Sequence, residues 1–574
     1  MYFSYLTSHI SYLLFTIFAA MRILKRIFKG LLWFFGLILL LLAGFGLYVY
    51  SISDAKPPEI KDQHLAGESR IDVDSNLHTF HNSWLRQNRS GLYEMYLQGD
   101  GFERGVAFGK LGKELVRFQE QAFTNEIQRM IPSKKYLKFL KYVVGFMNRD
   151  LAEYVIKEYQ DEIYGVSLSA SEKFNWIGTN YSRQLNYHAA HDIGHALANM
   201  MLVGCTSFAT WNEKSQDSQL IVGRNFDFYV GDEFARNKIV AFYNPTKGYK
   251  FMSVTWGGFT GVVSGMNVKG LTVTINANKS SIPYGAATPV SLVAREILQY
   301  ASNIKEAVAI AKKRKMFVSE SFLVSSASDN KAVVIEKTPT DLDVYVSGTS
   351  SIQCTNHYQG TLLGKQNLNQ EQMKNSASVY RYVRLKELMD ATVKNTPERT
   401  AEILRDHMGL HNTDIGLTNE KAMNQFIAHH SVIFEPKKLL VWVSTSPWQE
   451  GRYICYDLNK MFALDMRLMQ QDNDEAALEI KEDTFMHTAA FQNVQRYLYL
   501  ENELKYKRPI DPSEIIRINP VYYDSYRIAG DEYVKEGKKD SALLAYKKAL
   551  TLEIATEGER ESIAEKIKRI NTLR

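Results

Sequence analysis

Hydrophobic residues follow different patterns in the two halves of the chain. Between residues 91 and 204, apolar side chains recur at three- and four-residue spacing, most clearly over 113–129 and 135–164, and this period predicts helices. From residue 205 onward, short β-branched and aromatic runs alternate with turn residues, which is typical of strands. Strands are predicted at 219–222, 238–243, 250–255, 261–266, 271–275, 322–326, 332–336 and 342–346, and helices at 289–301 and 304–315. The pattern alone therefore predicts an α+β fold.

A long apolar run near the start of the chain predicts a membrane anchor. Residues 31–50 carry no charge, and at about 1.5 Å per residue a helix of this length spans a bilayer core of about 30 Å. Basic residues cluster before the run, whereas few charges follow it, so the positive-inside rule places the N-terminus in the cytoplasm. The basic residues are Arg22, Lys25, Arg26 and Lys29. We expect an uncleaved anchor with the catalytic region outside the cytoplasm, facing the periplasm if the cell has two membranes.

These patterns divide the chain into consecutive regions. We expect a basic cytoplasmic N-terminus, a transmembrane anchor, a linker with a first extended segment, a largely helical segment, a strand-rich catalytic region and a helical C-terminal region. Their bounds are residues 1–30, 31–50, 51–90, 91–204, 205–460 and 461–574. Met1 and Met21 are both candidates for the first residue of the protein.

Composition and charge narrow the classes of function. With 45% hydrophobic and 23% charged residues among 574, the chain can bury a large core, which argues against disorder. A net charge of +6 gives no reason to expect a nucleic-acid partner. Three cysteines are too few for a disulfide scaffold or a cysteine metal cluster. If Cys205 is catalytic, Cys354 and Cys455 either pair in an oxidising compartment or remain buried free thiols.

The region around Cys205 contains what a self-processing N-terminal nucleophile needs. Gly204 precedes the cysteine, Thr206 and Ser207 follow it, and the run Gly223-Arg224-Asn225-Phe226-Asp227 comes shortly downstream. A thiol at a new chain start can attack an acyl carbon while its own α-amine, with a pKa near about 8, serves as the base. No histidine partner is then required. Without such a context, a single buried cysteine at the start of a strand is usually a core residue.

The segment from Cys205 to Asp227 resembles the start of the mature chain in the choloylglycine hydrolase and penicillin acyltransferase branch of the N-terminal nucleophile (Ntn) hydrolases, which includes peptidase family C45. In that branch a cysteine comes first, and an arginine and an aspartate follow in a G-R-N-x-D run. The resemblance implies that Cys205 is the nucleophile, with Arg224 and Asp227 beside it. It also implies a four-layer αββα sandwich, and we expect no cofactor and no metal.

Further motifs follow in the order of that family. The run Gly265-Met266-Asn267-Val268-Lys269-Gly270-Leu271 resembles G-x-N-x-K-G-L and implies Asn276 as an oxyanion donor. Asn278 is the alternative, because it faces the same side of a strand. Cys354-Thr355-Asn356-His357-Tyr358 resembles the T-N-H segment and implies Asn356. Ser378-Val379-Tyr380-Arg381-Tyr382-Val383-Arg384 is similar to S-x-x-R-[FY]-x-R and implies Arg381 as the site arginine, with Arg384 as the alternative.

The residue types fit physical roles in amide cleavage. Asn276 and Asn356 are neutral donors that can stabilise the charge growing on the attacked carbonyl oxygen by about 3 kcal/mol. Asp227 can hold the new terminal amine, while Arg224 and Arg381 can lower the thiol pKa and hold the carboxylate in place.

The resemblance extends upstream of Cys205. The run Tyr96-Leu97-Gln98-Gly99-Asp100-Gly101-Phe102-Glu103-Arg104-Gly105-Val106-Ala107-Phe108-Gly109 resembles the opening of the acyl-CoA:penicillin acyltransferase-like subgroup, which cuts itself at a Gly-Cys bond. We therefore predict cleavage between Gly204 and Cys205 through an N-to-S acyl shift. The N-terminal piece contains fold-forming sequence, so we expect it to stay bound as a subunit.

A group of histidines precedes Cys205. His188, His191 and His195 are spaced three and four residues apart, with Asp192 between them, so a helix would place the imidazoles on one face, as a zinc site requires. No fourth ligand is apparent in the sequence, and the segment leads directly into Cys205. Polar packing beside the nucleophile is therefore the preferred interpretation.

The end of the chain predicts a helical hairpin. Its small and aromatic residues fall on the spacing of one tetratricopeptide (TPR)-like unit near residues 523–556, followed by a helix at 559–570. The residues with this spacing are Tyr526, Gly530, Tyr533, Gly537, Ala542, Tyr546 and Ala549. One such unit cannot bury its own face, so we expect it to pack on its own chain, with a protein partner as the alternative.

These observations predict an outward-facing Ntn hydrolase or acyltransferase that cleaves or transfers the acyl group of a small-molecule amide through a Cys205 thioester. Phe228 and Trp256 lie near the motifs and suit an apolar acyl chain, although such aromatic residues suit a core equally. The alternatives are a phospholipase B-like ester hydrolase and a non-catalytic, membrane-anchored scaffold on the same fold.

Overall fold

The computed structural model describes residues 2–189, 202–280, 285–463 and 473–572. In this part of the chain the α-helices are α1 (Tyr2–Ile52), α2 (Gly101–Leu111), α3 (Lys113–Met130), α4 (Lys134–Met147), α5 (Leu151–Tyr154), α6 (Lys157–Ser167), α7 (Asn180–His188), α8 (Val290–Tyr300), α9 (Ile304–Lys313), α10 (Asn367–Asn375), α11 (Ser378–Asp390), α12 (Pro397–Leu404), α13 (Leu458–Met461), α14 (Ala489–Lys505), α15 (Pro512–Ile518), α16 (Tyr523–Lys535), α17 (Lys539–Ala549) and α18 (Glu557–Thr572).

The strands are β1 (Ile71–Asp72), β2 (Leu77–Phe80), β3 (Ser83–Gln87), β4 (Tyr93–Gly99), β5 (Leu202–Val203), β6 (Thr206–Thr210), β7 (Ile221–Phe226), β8 (Phe228–Tyr229), β9 (Ile239–Pro245), β10 (Phe251–Thr255), β11 (Ser264–Asn267), β12 (Leu271–Ala277), β13 (Glu320–Ser326), β14 (Lys331–Lys337), β15 (Leu342–Tyr345), β16 (Ser351–Cys354), β17 (His430–Glu435), β18 (Leu440–Ser444) and β19 (Tyr453–Asp457).

Two large sheets form the centre of the molecule. One has eleven strands in the order β1-β2-β3-β4-β9-β10-β11-β12-β13-β14-β15, and the other has six in the order β16-β6-β7-β17-β18-β19. Buried side chains from both sheets, such as Val222, Val254 and Val441, pack together between them. Helices α2, α8 and α9 cover the outer face of the larger sheet, and α11 and α12 cover that of the smaller one. The predicted αββα layers are confirmed.

Helix α1 precedes these layers. Its stretch Leu6–Ile52 is long and apolar enough to cross a membrane, and none of it is buried inside the molecule. At about 1.5 Å per residue it is roughly 70 Å long, about twice the apolar thickness of a bilayer. The predicted anchor at residues 31–50 lies within this helix.

The eight predicted strands all correspond to strands of the structure, whereas β6 and β16 to β19 were not predicted. The predicted helix at 135–164 is divided into α4, α5 and α6. Helix α4 ends at Met147, and the side-chain amide of the next residue, Asn148, donates to the side-chain oxygen of Asn186 at 2.7 Å. Ile156 has an extended backbone that starts α6 in a new direction. Residues 71–87, which the pattern assigned to the linker with its first extended segment, form three strands of the larger sheet.

The glycines of the upstream motif allow two helices to touch. Helix α2 starts with a capping box in which Asp100 and Glu103 each accept the other's backbone N–H. A Cβ on Gly105 would lie 2.1 Å from the backbone oxygen of Glu162 in α6, and one on Gly101 would lie 2.2 Å from that of Glu158. The spacing of these glycines therefore reflects a close helix crossing.

Chain segments on both sides of residue 204 share one sheet and one buried ion cluster. Strand β4 pairs in parallel with β9 from Tyr93↔Ile239 to Gly99↔Pro245. Arg295 of α8 forms a buried ion pair with Glu162 of α6 at 3.1 Å, and Arg104 binds the same carboxylate at 2.6 Å. Breaking such a buried pair leaves an unpaired charge, which costs about 3–5 kcal/mol. These contacts do not depend on an intact peptide bond at residue 204.

The C-terminal helices have their own core and also contact the catalytic region. Helices α14 to α18 share a buried cluster that includes Tyr497, Ile515 and Tyr546. The Asn519 amide donates to the Leu417 carbonyl at 2.8 Å, and the Asn419 amide donates to the Glu553 carbonyl at 3.0 Å. The hairpin of α16 and α17 matches the predicted position.

The three cysteines are buried free thiols. Cys354 lies on β16 and Cys455 on β19, which are the two opposite edges of the six-stranded sheet. A disulfide between them is therefore excluded by the order of the strands.

Replacing Gly530 with alanine should destabilise the α16–α17 hairpin. Its new Cβ would lie 2.4 Å from the Tyr546 ring, and overpacking of this kind costs about 1–3 kcal/mol. Gly558→Ala is a matched control, because no atom lies within 4 Å of its Cβ position and alanine favours a helix by up to about 1 kcal/mol. Hydrogen exchange over 523–549 should become faster in the first variant only. Equal exchange in both variants would contradict the close packing.

Candidate active site

Cys205 lies between β5 and β6 and is completely buried. Its Sγ accepts a hydrogen bond from Arg224 Nη2 at 3.4 Å. Burial raises the pKa of the Cys205 thiol, and the charge of Arg224 offsets this only in part. The net direction is opposite to the lowering predicted from the arginines, because the thiol has no contact with solvent. The thiol of the uncut chain is therefore protonated at neutral pH.

Arg224 of β7 holds the two sheets together at the site. Its guanidinium donates to the carbonyl oxygens of Val263 and Ile275, both at 2.6 Å, and to Ser264 Oγ at 2.5 Å. It also lies over the Phe226 ring, 4.4 Å from the centroid. A charge with no solvent exposure needs such partners, since an unpaired buried charge costs several kcal/mol. The position of the group that contacts Cys205 is thus set by both sheets.

A chain of hydrogen bonds continues from Arg224 away from the thiol. Ser264 Oγ lies 2.8 Å from His430 Nε2, and His430 Nδ1 lies 2.9 Å from His429 Nδ1. Arginine can only donate, so the serine accepts from Arg224, and among the described contacts its own hydroxyl hydrogen has His430 Nε2 as acceptor. Burial lowers the pKa of His429 to about 3 and that of His430 in the same direction. Both rings are neutral and orient Ser264 towards Arg224.

Hydrogen bonds hold the carbonyl oxygen of the Gly204–Cys205 peptide bond and the N–H of the peptide bond before it. The Gly204 N–H donates to the Asp227 carbonyl at 3.0 Å. The Gly204 carbonyl oxygen accepts from Arg381 Nη1 at 2.9 Å and from Gln425 Nε2 at 3.3 Å. Arg381 Nη1 also contacts the Cys205 carbonyl at 2.8 Å and Thr206 Oγ1 at 2.9 Å. The predicted cleavage bond is therefore surrounded by donors.

Asp227 is a buried carboxyl group with two unsatisfied oxygens. Neither oxygen has a hydrogen-bond partner among the described residues, so the expected direct contact with Arg224 or Arg381 is absent there. Burial raises the pKa of Asp227 to about 7, although both arginine charges lower it. The Nη groups of both arginines bind other acceptors, and their Nε groups, like the Asp227 oxygens, have no partner among the described residues.

The two asparagines lie next to the same site. Asn276 accepts from Ser207 Oγ at 3.0 Å and donates to the Cys354 carbonyl at 3.1 Å. Asn356 donates to the Ala277 carbonyl at 2.9 Å and accepts from Arg381 Nη2 at 2.7 Å. Each amide nitrogen has two hydrogens, so each keeps one for another acceptor.

The two alternative residues have different partners. Asn278, directly after β12, donates to Ser321 Oγ at 2.7 Å. Arg384 binds Asp406 at 2.9 Å and Asn412 at 2.8 Å. Asn276 contacts Ser207, and Arg381 contacts Gly204, Cys205 and Thr206.

A small apolar cavity of about 40 Å³ adjoins this group of residues. Phe228 and Trp256 both line it, together with Phe226, Phe234 and Phe259 from the catalytic region and Val116 and Phe123 from α3. Val263 and Ile275, whose carbonyls bind Arg224, also contribute to its wall. The cavity therefore reaches the strands that position the arginine beside Cys205.

The histidine group has only one member among the described residues. His191, Asp192 and His195 lie outside them. His188 accepts the Thr260 N–H at 2.9 Å through Nε2 and bonds the Gln184 carbonyl through Nδ1 at 2.8 Å. Burial lowers the pKa of His188 to about 4, so it is a neutral, fully bonded packing group. The described ranges contain no cluster of three possible metal ligands.

Sequence analysis missed three residues at this site. Gln425, Ser264 and His430 contact the cleavage bond or Arg224 through the fold. Gln425 is 221 positions away from the residue that it contacts, so no local pattern points to it. The adjacent pair His429-His430 is the one local sequence feature that could have indicated part of this contact network.

Comparisons with known proteins agree with the motifs. Residues 211–446 match the family model described as acyl-coenzyme A:6-aminopenicillanic acid acyl-transferase. The predicted family resemblance is confirmed. The matched region contains Arg224, Asp227, Asn276, Asn356 and Arg381, and it begins just after Cys205.

Two related sequences cover part of the chain. An uncharacterized protein of Archaeoglobus fulgidus is 24% identical over 253 residues, which are 41% of each chain. The N-acylethanolamine-hydrolyzing acid amidase of Caenorhabditis elegans is 26% identical over 216 residues, 36% of this chain and 58% of that protein. The chain thus spans about half the length of the curated relatives that it matches.

Two solved structures are similar to part of the chain. The Caenorhabditis elegans amidase ortholog is 19% identical, with a TM-score of 0.29, covering 41% of this chain and 93% of that one. A mutant conjugated bile acid hydrolase from Clostridium perfringens is 15% identical, with a TM-score of 0.32, covering 45% and 93%.

Replacing Asp227 with asparagine should stabilise the uncut protein at neutral and alkaline pH. Its pKa rises from 3.8 to about 7 on folding, so the carboxyl group favours the folded state less and less as pH rises from 4 to 7. Each pKa unit corresponds to about 1.4 kcal/mol. The substitution should therefore increase the free energy of unfolding by a few kcal/mol above pH 7 and leave it unchanged near pH 4.

The measurement is denaturant unfolding across this pH range, with Cys205→Ala as the reference protein and Cys205→Ala with Asp227→Asn as the variant. Both proteins lack the thiol, so neither can cut itself. A gain that does not depend on pH would show that Asp227 is not the titrating group.

Proposed function

We propose that this protein is a membrane-anchored cysteine Ntn amidohydrolase or acyltransferase that activates itself by cutting between Gly204 and Cys205. The observation that carries the proposal is the arrangement of the cleavage bond, in which Arg224 contacts Cys205 Sγ while Arg381 and Gln425 donate to the Gly204 carbonyl oxygen. Packing alone does not require so many donors at a fully buried peptide bond. These donors are suited to stabilise negative charge on the Gly204 carbonyl oxygen.

Self-cleavage would begin with attack of Cys205 Sγ on the Gly204 carbonyl carbon. The new S–C bond forms, the C–N bond breaks, and the thiol proton ends on the Cys205 nitrogen, which becomes the α-amine. The Asp227 carboxyl group is suited to carry this proton, because its oxygens have no partner among the described residues, its backbone carbonyl binds the Gly204 N–H, and its pKa of about 7 allows both forms. Water then releases the Gly204 carboxylate from the thioester.

The mature site would use the freed α-amine of Cys205 as the base. The amine takes the thiol proton, sulfur attacks the amide carbon of a substrate, and the leaving amine receives the proton. Water or a second amine then removes the acyl group from sulfur. Asp227, whose oxygens have no partner among the described residues of the uncut chain, is placed to hold the new ammonium or amine.

The acyl part of the substrate is proposed to occupy the aromatic cavity lined by Phe228 and Trp256. Its lining of mainly aromatic and apolar side chains is typical of small-ligand sites, and its volume of about 40 Å³ in the uncut chain would have to increase to hold an acyl chain. Each CH₂ group buried there contributes about 0.8 kcal/mol. The name of the nematode relative, an N-acylethanolamine-hydrolyzing amidase, supports an N-acyl amide with an apolar chain as the substrate class.

The anchor and its orientation are part of the proposal. Helix α1 can cross a membrane, and the basic residues before residue 31 favour a cytoplasmic N-terminus. The catalytic region would then lie outside the cytoplasm, at the membrane surface. The N-terminal piece would remain bound after cleavage through β4 and Glu162.

Purified wild-type protein should consist of two chains, of which the second starts at Cys205-Thr206-Ser207. Cys205→Ala should remain a single chain, because no nucleophile is left to attack Gly204. Intact mass and N-terminal sequencing check this result. The two wild-type chains should co-elute without denaturant. An uncut wild type would refute self-activation, since Cys205 would then have no free amine.

Trp256→Ala should weaken hydrolysis of long-chain N-acyl amides more than that of short-chain ones. Removing the ring should lower kcat/KM for a sixteen-carbon acyl group by about tenfold or more, because the chain loses buried apolar contact. A two-carbon acyl amide is the internal control, as its acyl group has little apolar chain to bury against the ring. Rates of product release from the two substrates give the ratio of their kcat/KM values. An equal loss for both chain lengths would exclude the cavity as the acyl site.

A further inference from the structure

We infer that Gln425 is a catalytic residue of self-cleavage, and that its amide N–H stabilises the oxyanion formed on Gly204. This inference rests on the proposed self-cleavage at that bond. Gln425 lies far along the chain from each of the family motifs, so none of these motifs identifies it as a donor to the oxyanion.

Arg381 alone cannot fully satisfy the Gly204 carbonyl oxygen. Its Nη1 group has two hydrogens but three acceptors, which are Gly204 O, Cys205 O and Thr206 Oγ1 at 2.8–2.9 Å. A carbonyl oxygen that becomes negatively charged needs about two good donors. Gln425 Nε2 is the second donor to this oxygen among the described residues.

The distance from Gln425 fits a donor for the transition state. In the uncut ground state Nε2 lies 3.3 Å from Gly204 O, which is a long hydrogen bond. When sulfur adds to the Gly204 carbonyl carbon, the carbonyl oxygen gains negative charge. The hydrogen bond from Gln425 Nε2 to this oxygen then shortens. A donor that binds more strongly at this point than before it accelerates the step. Only 4% of Gln425 is exposed, so solvent does not weaken the interaction.

The fold holds Gln425 at this position. The Asn225 side chain donates to the Met423 carbonyl at 3.1 Å and to the Leu404 carbonyl at 2.8 Å, and thereby links the segment before Gln425 to β7. Phe426, the next residue, has a φ of 55°, which is unfavourable for a residue other than glycine. The asparagine beside Arg224 is therefore a positioning residue for Gln425.

Gln425 also explains why glycine precedes the nucleophile. A Cβ at position 204 would lie 2.7 Å from Gln425 Nε2 and 2.9 Å from its Oε1. A side chain here would displace the amide from the carbonyl oxygen. Glycine at position 204 therefore leaves the space that the Gln425 amide needs in order to donate to the carbonyl oxygen.

The test follows conversion of the full chain, synthesised in a cell-free system with nanodiscs, into residues 1–204 and 205–574. Gln425→Met keeps the length of the side chain but has no N–H, and it should slow cleavage by about tenfold or more. Gln449→Met is the control, because Gln449 is also buried and donates to a backbone carbonyl, that of Leu404, at 3.3 Å. It should cleave at close to the wild-type rate.

Two further variants separate catalysis from folding. Gln425→Glu should cut slowly at neutral pH and faster at acidic pH, since only a protonated carboxyl group can donate to Gly204 O. Gly204→Ala should slow cleavage strongly in the wild type but have a smaller effect in a Gln425→Ala background, where the clash is absent. A misfolded protein would show neither the pH response nor this coupling.

The outcomes are distinct. Wild-type rates in Gln425→Met, or additive effects of Gly204→Ala and Gln425→Ala, would overturn the role of Gln425 and leave self-cleavage standing. A wild-type chain that is never cut would overturn both proposals. A slow Gln425→Met with a normal Gln449→Met and an acid-dependent Gln425→Glu would support the inference.

Discussion

The burial of the Arg224 guanidinium between the two sheets is the constraint on which the rest of the site depends. A charge with no exposure to solvent needs partners, and here the carbonyl oxygens of Val263 and Ile275, at β11 and β12 of the opposite sheet, accept from its two Nη groups. The sheets must therefore pack in one register for these bonds to form. In that register Nη2 also donates to Cys205 Sγ, while Nε has no partner among the described residues, so the packing that stabilises the fold also positions the guanidinium beside Cys205.

The groups around Cys205 lack a complete set of charges in the uncut chain. Burial keeps the Cys205 thiol protonated and raises the pKa of Asp227, while the Nη groups of the two arginines bind backbone carbonyls and neutral side chains. A new α-amine at Cys205 would add a base and a positive charge next to a carboxyl group with two unsatisfied oxygens. Peptide-bond cleavage would thus complete the set of charges, and the electrostatics of the precursor are consistent with a site that becomes active only afterwards.

The segments outside the catalytic strands contribute to the site as well. Helix α3 supplies Val116 and Phe123 to the aromatic cavity, and β4 completes the larger sheet beside β9. The piece before residue 204 is therefore part of the folded unit. The C-terminal helices contact the catalytic region through Asn519 and Leu417, so their apolar face is covered within the same chain. Close packing of α16 on α17 follows from Gly530, where a side chain would meet Tyr546.

The sequence by itself determined the class of fold, the long apolar helix near the start of the chain, the positions of eight strands and the short motifs around Cys205, Arg224 and Asp227. These features depend on neighbouring residues, through hydrophobic period and through spacing along one strand. Tertiary structure alone decided the break after Met147, the opposite-edge positions of Cys354 and Cys455, the contacts of Asn276 and Arg381 with residues beside Cys205, and the presence of Gln425, Ser264 and His430. Each of these rests on a contact between residues far apart in the chain, and such contacts are set by how sheets and helices pack, which local sequence patterns do not encode.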